Sequence, residues 1–143
     1  MDNWTTKRCV TSTVYVAIIG LALPIVAGAI GARINGFPFV LGMVETEGLL
    51  FFYALHLVAV VSASGLYAIT IACKMWGPCR YLPLLTGYGV LAKFYFNFNI
   101  AADAQSAIAL SFIPFISAGY SFIGFIAAAV LSLPLLVSKL LGR

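Results

Sequence analysis

Four apolar runs divide the chain, and charge or turn residues bound each one. The first runs from Thr11 to Ala32, between Lys7-Arg8 and Arg33. The second is Leu49–Cys73, closed by Lys74-Met-Trp-Gly-Pro-Cys-Arg80, in which Gly77-Pro78 signals a tight connection. The third, Tyr81–Ala102, carries Lys93, Asn97 and Asn99, and a short turn at 101–106 leads into the fourth, 107–137. A membrane-crossing helix needs about 20 mostly apolar residues. The pattern therefore predicts an all-α, polytopic integral membrane protein with transmembrane helices at about 11–33, 49–73, 81–102 and 107–137, joined by an outer loop at 34–48. The whole of 1–143 reads as a single membrane domain. The fourth run exceeds one span and holds Pro114 and Pro134, which predicts a kink at Pro114 or an interfacial tail after Pro134. The first run is long for the apolar part of a signal peptide and is expected to remain as a helix.

Composition agrees with this plan. Hydrophobic residues make up 63% of the chain, charged residues 8%, and mean hydropathy is +1.08. Soluble domains carry about 25% charged residues, so this chain cannot clothe a water-facing surface. The net charge of +4 is spread singly or in pairs at the ends of apolar runs. That spacing reads as a topology signal and as contacts to anionic lipid, not as a nucleic-acid stripe. With the N-terminus inside, Lys7, Arg8, Lys74, Arg80, Lys139 and Arg143 fall on the cytoplasmic side and Arg33 outside. The positive-inside rule thus predicts cytoplasmic N- and C-termini, in a plasma or inner membrane with an organelle membrane as the alternative. Glu45, Glu47 and Asp103 fall outside.

On that topology Cys9, Cys73 and Cys79 lie at cytoplasmic helix ends, where thiols stay reduced. Their spacing is not a redox pair. One His and few acids predict no metal site, no cofactor and no catalytic constellation; the chain is not expected to be an enzyme.

Lys93 is the most informative residue. Counted from Tyr81 at 1.5 Å per residue it lies about 16–18 Å along the third helix, near the midplane. A charge there costs at least about 2.5 kcal/mol, so it is expected to face the bundle interior or water. Asn97 follows at i+4, and Thr86 and Gly89 extend the stripe. Asp103 lies about 15 Å further along an unbroken helix, too far for a direct pair. Two readings stand: an ion, proton or anionic-substrate site, or a fixed charge that specifies assembly. His56, about 10 Å into the second helix from its outer end, is expected at a depth that meets Asn97, as a pH-responsive group or as a neutral hydrogen-bond donor.

Small residues recur at packing intervals in three helices: every four positions at Gly20, Pro24, Gly28 and Ala32 and at Ala59 and Ala63, and in a similar stripe at Ser117, Ser121, Gly124 and Ala128. Such faces let helix backbones approach closely. Most of them are expected to hold the bundle together; three exceed what one bundle needs, so the alternative is that one is a docking face for another chain. The outer loop carries Phe37, Phe39, Leu41 and Met43 before Glu45 and Glu47. That apolar surface is expected to lie in the interface, to dip back onto the bundle, or to cover a partner. Trp4, Tyr15, Trp76, Tyr81 and Tyr88 read as a membrane-edge aromatic belt.

The outer segment lacks a Trp with paired Cys, the chain has no Cys-Cys-Gly, and no apolar run holds a carboxylate. These absences separate it from several common four-span plans. The expectation is a non-catalytic protein acting through helix and outer-loop contacts. It would be a subunit or accessory factor of a membrane complex, or a binder that blocks another membrane protein as immunity proteins do. The alternative is a homo-oligomeric channel or coupled transporter built around Lys93, Asn97 and His56 with Glu45 and Glu47 at its mouth.

Overall fold

The computed structural model describes residues 3–39, 46–97 and 106–140. They form four helices: α1 (Asn3–Asn35), α2 (Thr46–Ala72), α3 (Leu82–Asn97) and α4 (Ser106–Leu140). A 3₁₀ turn, Pro78–Tyr81, leads into α3. Among the described residues there is no strand. Three segments are long and apolar enough to cross a membrane: Thr6–Asn35, Leu50–Ala72 and Leu110–Pro134.

Local chemistry sets the helix ends. Gly36 takes the left-handed conformation at φ 70°, and the Phe37 N–H donates to the Ala32 carbonyl at 2.9 Å, closing α1 in a glycine C-cap. At the end of α2, Lys74 takes the same conformation (φ 53°). The Lys74 N–H reaches Ile71 O at 2.9 Å and the Met75 N–H reaches Thr70 O at 3.1 Å, the paired bonds of a Schellman motif. α1 begins ahead of its apolar run, because Lys7 and Arg8 are good helix formers and nothing stops the helix before them. α4 runs as one helix through Pro114 and Pro134 and continues past its apolar span to Leu140.

Contacts define the arrangement. α1 packs on α2 and α3, α4 packs on α2 and α3, and α2 touches α3 between them. α1 and α4 thus sit at opposite corners. The Ser12–Tyr67 and His56–Gly20 bonds run α2 antiparallel to α1, while Gly31 against Phe96 and Gly20 against Tyr88 run α3 parallel to it.

The bundle buries its few polar side chains among apolar ones and turns large apolar side chains outward. His56, Thr70, Ser117 and Ser121 are fully buried, whereas Ile19, Phe51, Val61, Phe122 and Ile123 are exposed. Such a surface matches lipid, and lipid removes the hydrophobic drive between helices. Close packing and hydrogen bonds remain. Gly31 lies against the Phe96 carbonyl, Gly87 against Ser121, and Gly124 against Leu82 and Thr86. Across the interfaces the Tyr88 hydroxyl donates to Val16 O (3.2 Å), Ser117 to Gly87 O (2.9 Å) and Asn35 Nδ2 to Phe96 O (3.3 Å). Each such bond contributes about 0.6 kcal/mol in a bilayer.

This use of small residues follows the expected packing role. Gly20, Pro24, Ala59, Ala63, Ser117, Ser121, Gly124 and Ala128 are all buried, Gly28 lies beneath the Phe39 ring, and Ala32 is half-buried. The three small-residue faces hold this bundle together, and none is left as a docking face. Tyr88 leaves the expected belt, because its hydroxyl is drawn between α3 and α1.

Close approach at Gly31 gives a direct test. Gly31→Ala places a methyl against the Phe96 backbone and is expected to cost about 1–3 kcal/mol. Gly65→Ala, where a Cβ meets open space, is expected to be neutral or slightly stabilising. Unfolding titrations of the two variants in mixed micelles provide the comparison.

Candidate functional site

α3 divides its residues between two faces. Leu84, Gly87, Leu91 and Tyr95 are buried at helical spacing. Lys93, two residues from both Leu91 and Tyr95, is turned about 200° from them at 100° per residue. It is therefore exposed, and so are Gly89 and Asn97. Lys93 does not face the bundle interior, because the apolar side of α3 already fills it. Thr86 parts from the stripe: it is half-buried against Gly124, its hydroxyl donating to Leu82 O at 2.8 Å.

The depth of Lys93 also differs from the sequence estimate. Phe96 packs level with Gly31 on a parallel helix, so Lys93 is level with about Gly28. That is about 10 Å from the middle of the α1 apolar run, toward Arg33, and about 7 Å short of Arg33. The ammonium is thus within snorkelling distance of the Arg33 end of that run. Counting from Tyr81 misplaced it because Tyr81 belongs to a 3₁₀ turn already packed on the bundle, with Cys79 buried among Met75 and Ala128.

Lys93 lies in an open groove of about 560 Å³ between α3 and α4, lined by Val90, Phe94, Asn97, Ile116 and Tyr120. Asn97 Nδ2 donates to the Lys93 carbonyl at 2.8 Å, which fixes Asn97 on the same face. The groove therefore joins one cation, one amide and one phenol to an apolar floor. That combination suits a carboxylate carried on an apolar segment.

His56 stands elsewhere. It is fully buried, and its Nε2 is 3.0 Å from Gly20 O. A carbonyl only accepts, so Nε2 carries the proton and the imidazole ties α2 to α1. Its ring stacks on Phe52 (centroids 5.9 Å) and meets Tyr95 edge-on at 6.0 Å. Among the described residues neither His56 Nδ1 nor the Tyr95 hydroxyl has a hydrogen-bond partner. Packed Leu91 and Tyr95 lie between His56 and the Lys93 face, so His56 does not meet Asn97 and the two do not form one site.

The outer-loop candidates are described in part. Phe37 and Phe39 are half-buried, with Phe39 folded back over Gly28. Met43 and Glu45 lie outside the described residues. Glu47 falls in the first turn of α2, and its side chain lies outside the description.

One cluster escaped the sequence reading. At the opposite end of the bundle, Arg8, Ser12, Tyr67, Arg80 and Tyr81 line a common cavity. Arg8 and Arg80 read separately as topology signals and Tyr81 as belt. Shared depth at one membrane face was the available signal, and only the docking of the 3₁₀ turn on α2, α3 and α4, beside the start of α1, brings them together.

No family model, curated protein or solved structure matches the chain.

Proposed function

We propose that this is a four-span membrane protein with cytoplasmic termini that works without catalysis, by seating the transmembrane segment of another protein in the Lys93 groove. The observation that carries this reading is the groove itself. The small-residue faces are consumed inside the bundle, the remaining lipid face is large and apolar, and a lysine stands in an open recess on it. A charge off the helix centre still costs part of the about 2.5–3.5 kcal/mol that the centre imposes, and snorkelling has to hold it there. A partner helix bearing a carboxylate would offset that cost and fill the recess between Phe94, Ile116 and Tyr120. Phe37 and Phe39 would add a separate contact on α1, since Phe39 lies against Gly28.

Several features support α3 as the fourth crossing. Its described 16 residues supply about 24 Å and the 3₁₀ turn about 8 Å more, close to the thickness of a hydrocarbon core. Arg80 lies near Arg8 and Ser12 at one end of α1, and Phe96 lies near Asn35 at the other. Lys7, Arg8 and Arg80 therefore share one face, with Arg33 on the opposite one, and the positive-inside rule makes the former cytoplasmic. A plasma or bacterial inner membrane fits this orientation.

The second reading, a homo-oligomeric channel or ion-coupled transporter, gains from the same groove only if copies close a ring with Lys93 and Asn97 lining the pore between them. Ala59, Ala63, Leu91 and Tyr95 pack the interior of one copy, which argues against a path through it.

Orientation is read from native Cys73, the exposed cysteine. It is expected to react with an impermeant maleimide only after permeabilisation, while Val40→Cys, in a background lacking Cys9, Cys73 and Cys79, reacts from outside. Labelling of Cys73 in intact cells reverses the topology.

Lys93→Met keeps an apolar stem and removes the charge. The variant is expected to insert at least as well as the parent and to keep its melting temperature, yet to lose its hetero-complex in mild detergent. Persistent assembly with abolished flux in proteoliposomes would instead establish the transport reading.

A further inference from the structure

We infer that the cavity between the start of α1 and the 3₁₀ turn is a binding site for a phosphate group, independent of the Lys93 groove. Three cations converge there. Arg8 and Arg80 line a cavity of about 500 Å³, and Lys7 joins Arg8 on the adjoining recess of about 640 Å³ along the outside of α1. Ser12, Tyr67 and Tyr81 border both recesses, so they form one continuous surface in which positive charge stands beside hydroxyl groups. A phosphate oxygen accepts from the cations, from the Tyr81 hydroxyl and from whichever of the Ser12 and Tyr67 hydroxyls is not donating to the other, and a guanidinium offers it a paired donor geometry that a lone ammonium does not.

The site is built rather than assembled from loose surface side chains. Arg80 Nε donates to the Met75 carbonyl at 2.7 Å, which holds the guanidinium in place from a connection that is itself fixed: Met75 is buried, and the Thr70 hydroxyl reaches Arg80 O at 3.2 Å. The floor is Tyr67, only 4% exposed. Its hydroxyl lies 2.7 Å from Ser12 Oγ, and its ring stacks on Tyr81 with centroids 5.6 Å apart. α1, α2 and the 3₁₀ turn each contribute fixed members, so little order has to be gained when an anion enters.

Position narrows the source of the phosphate. The apolar span of α1 begins at Thr6 and that of α2 ends at Ala72. The cavity opens between these two ends, at the height where a bilayer places its headgroups. Gly77 on the rim has no side chain to close the entrance, and Tyr15 and Val16 extend the surface toward the apolar core, where an acyl chain would follow. The same chemistry would serve a small soluble phosphate arriving from the aqueous side, so the two sources need separate arms in one experiment.

The test uses the full chain in detergent micelles and native mass spectrometry, titrating phosphatidylglycerol, phosphatidylcholine, glycerol 3-phosphate and inorganic phosphate. One retained phosphatidylglycerol per chain, bound more tightly than phosphatidylcholine, is expected. Arg8→Gln and Arg80→Gln should each weaken it by about tenfold or more, as loss of a charge-assisted hydrogen bond requires. Tyr67→Phe, which keeps the ring stack, should weaken it less. Lys74→Gln, an exposed cation outside the cavity, should leave it unchanged. Melting curves of each variant separate lost binding from lost folding, since Arg80 also supports its own connection and Arg8→Gln spares that bond. Displacement of the lipid by millimolar inorganic phosphate or glycerol 3-phosphate would assign the site to a soluble phosphate. Retention that is unchanged by Arg8→Gln and Arg80→Gln, or that falls equally with Lys74→Gln and Arg8→Gln, would overturn the inference.

Discussion

A bilayer gives two helices no reason to touch, because lipid tails are as apolar as leucine. What holds this chain together is therefore the distance of approach between backbones, set where a glycine or serine faces another main chain. α3 depends on it most. Gly31 on α1 admits the Phe96 carbonyl, Gly124 on α4 admits Leu82, and Gly87 on α3 itself admits Ser121. At these distances dispersion contacts and the Ser117, Tyr88 and Asn35 hydrogen bonds form across the interfaces. Without them α3 would have neither neighbour nor register.

That constraint also decides the character of the surface. Small residues committed to the interior leave the large apolar side chains facing lipid, and they fix which side of α3 turns outward. Lys93 and Asn97 face outward because Leu91 and Tyr95 face inward. The charge at Lys93 is thus an exposed feature of an otherwise lipid-like exterior. His56 is the opposite case, a polar group withdrawn completely from lipid and used to tie α2 to α1.

Much of the architecture was legible in the chain. Apolar run lengths, Gly36 and Gly77-Pro78 mark three of the helices and their ends, because insertion energetics and turn chemistry act locally. The three- and four-residue spacing of Ser117, Ser121, Gly124 and Ala128 also announced a packing face. Which partner each face meets was not legible, since spacing is silent about neighbours; here all three are used internally. The orientation of Lys93 was missed for the same reason. Its helix has polar residues on one side and packable residues on the other, and reading the former as inward treated charge as the only reason to turn. The cavity at Arg8, Tyr67 and Arg80 draws on residues more than 70 positions apart in sequence, and only the docked 3₁₀ turn makes it a unit.

The central claim is that the Lys93 groove seats an acid-bearing helix of another protein. The most direct measurement is site-specific photocross-linking in native membranes, with a benzophenone side chain in place of Phe94, on the groove wall. The account predicts a single adduct heavier than a dimer of this chain, retained in a Lys93→Arg background and lost in Lys93→Met. Adducts confined to lipid or to a second copy of the chain, or a heavier adduct indifferent to Lys93→Met, would contradict it.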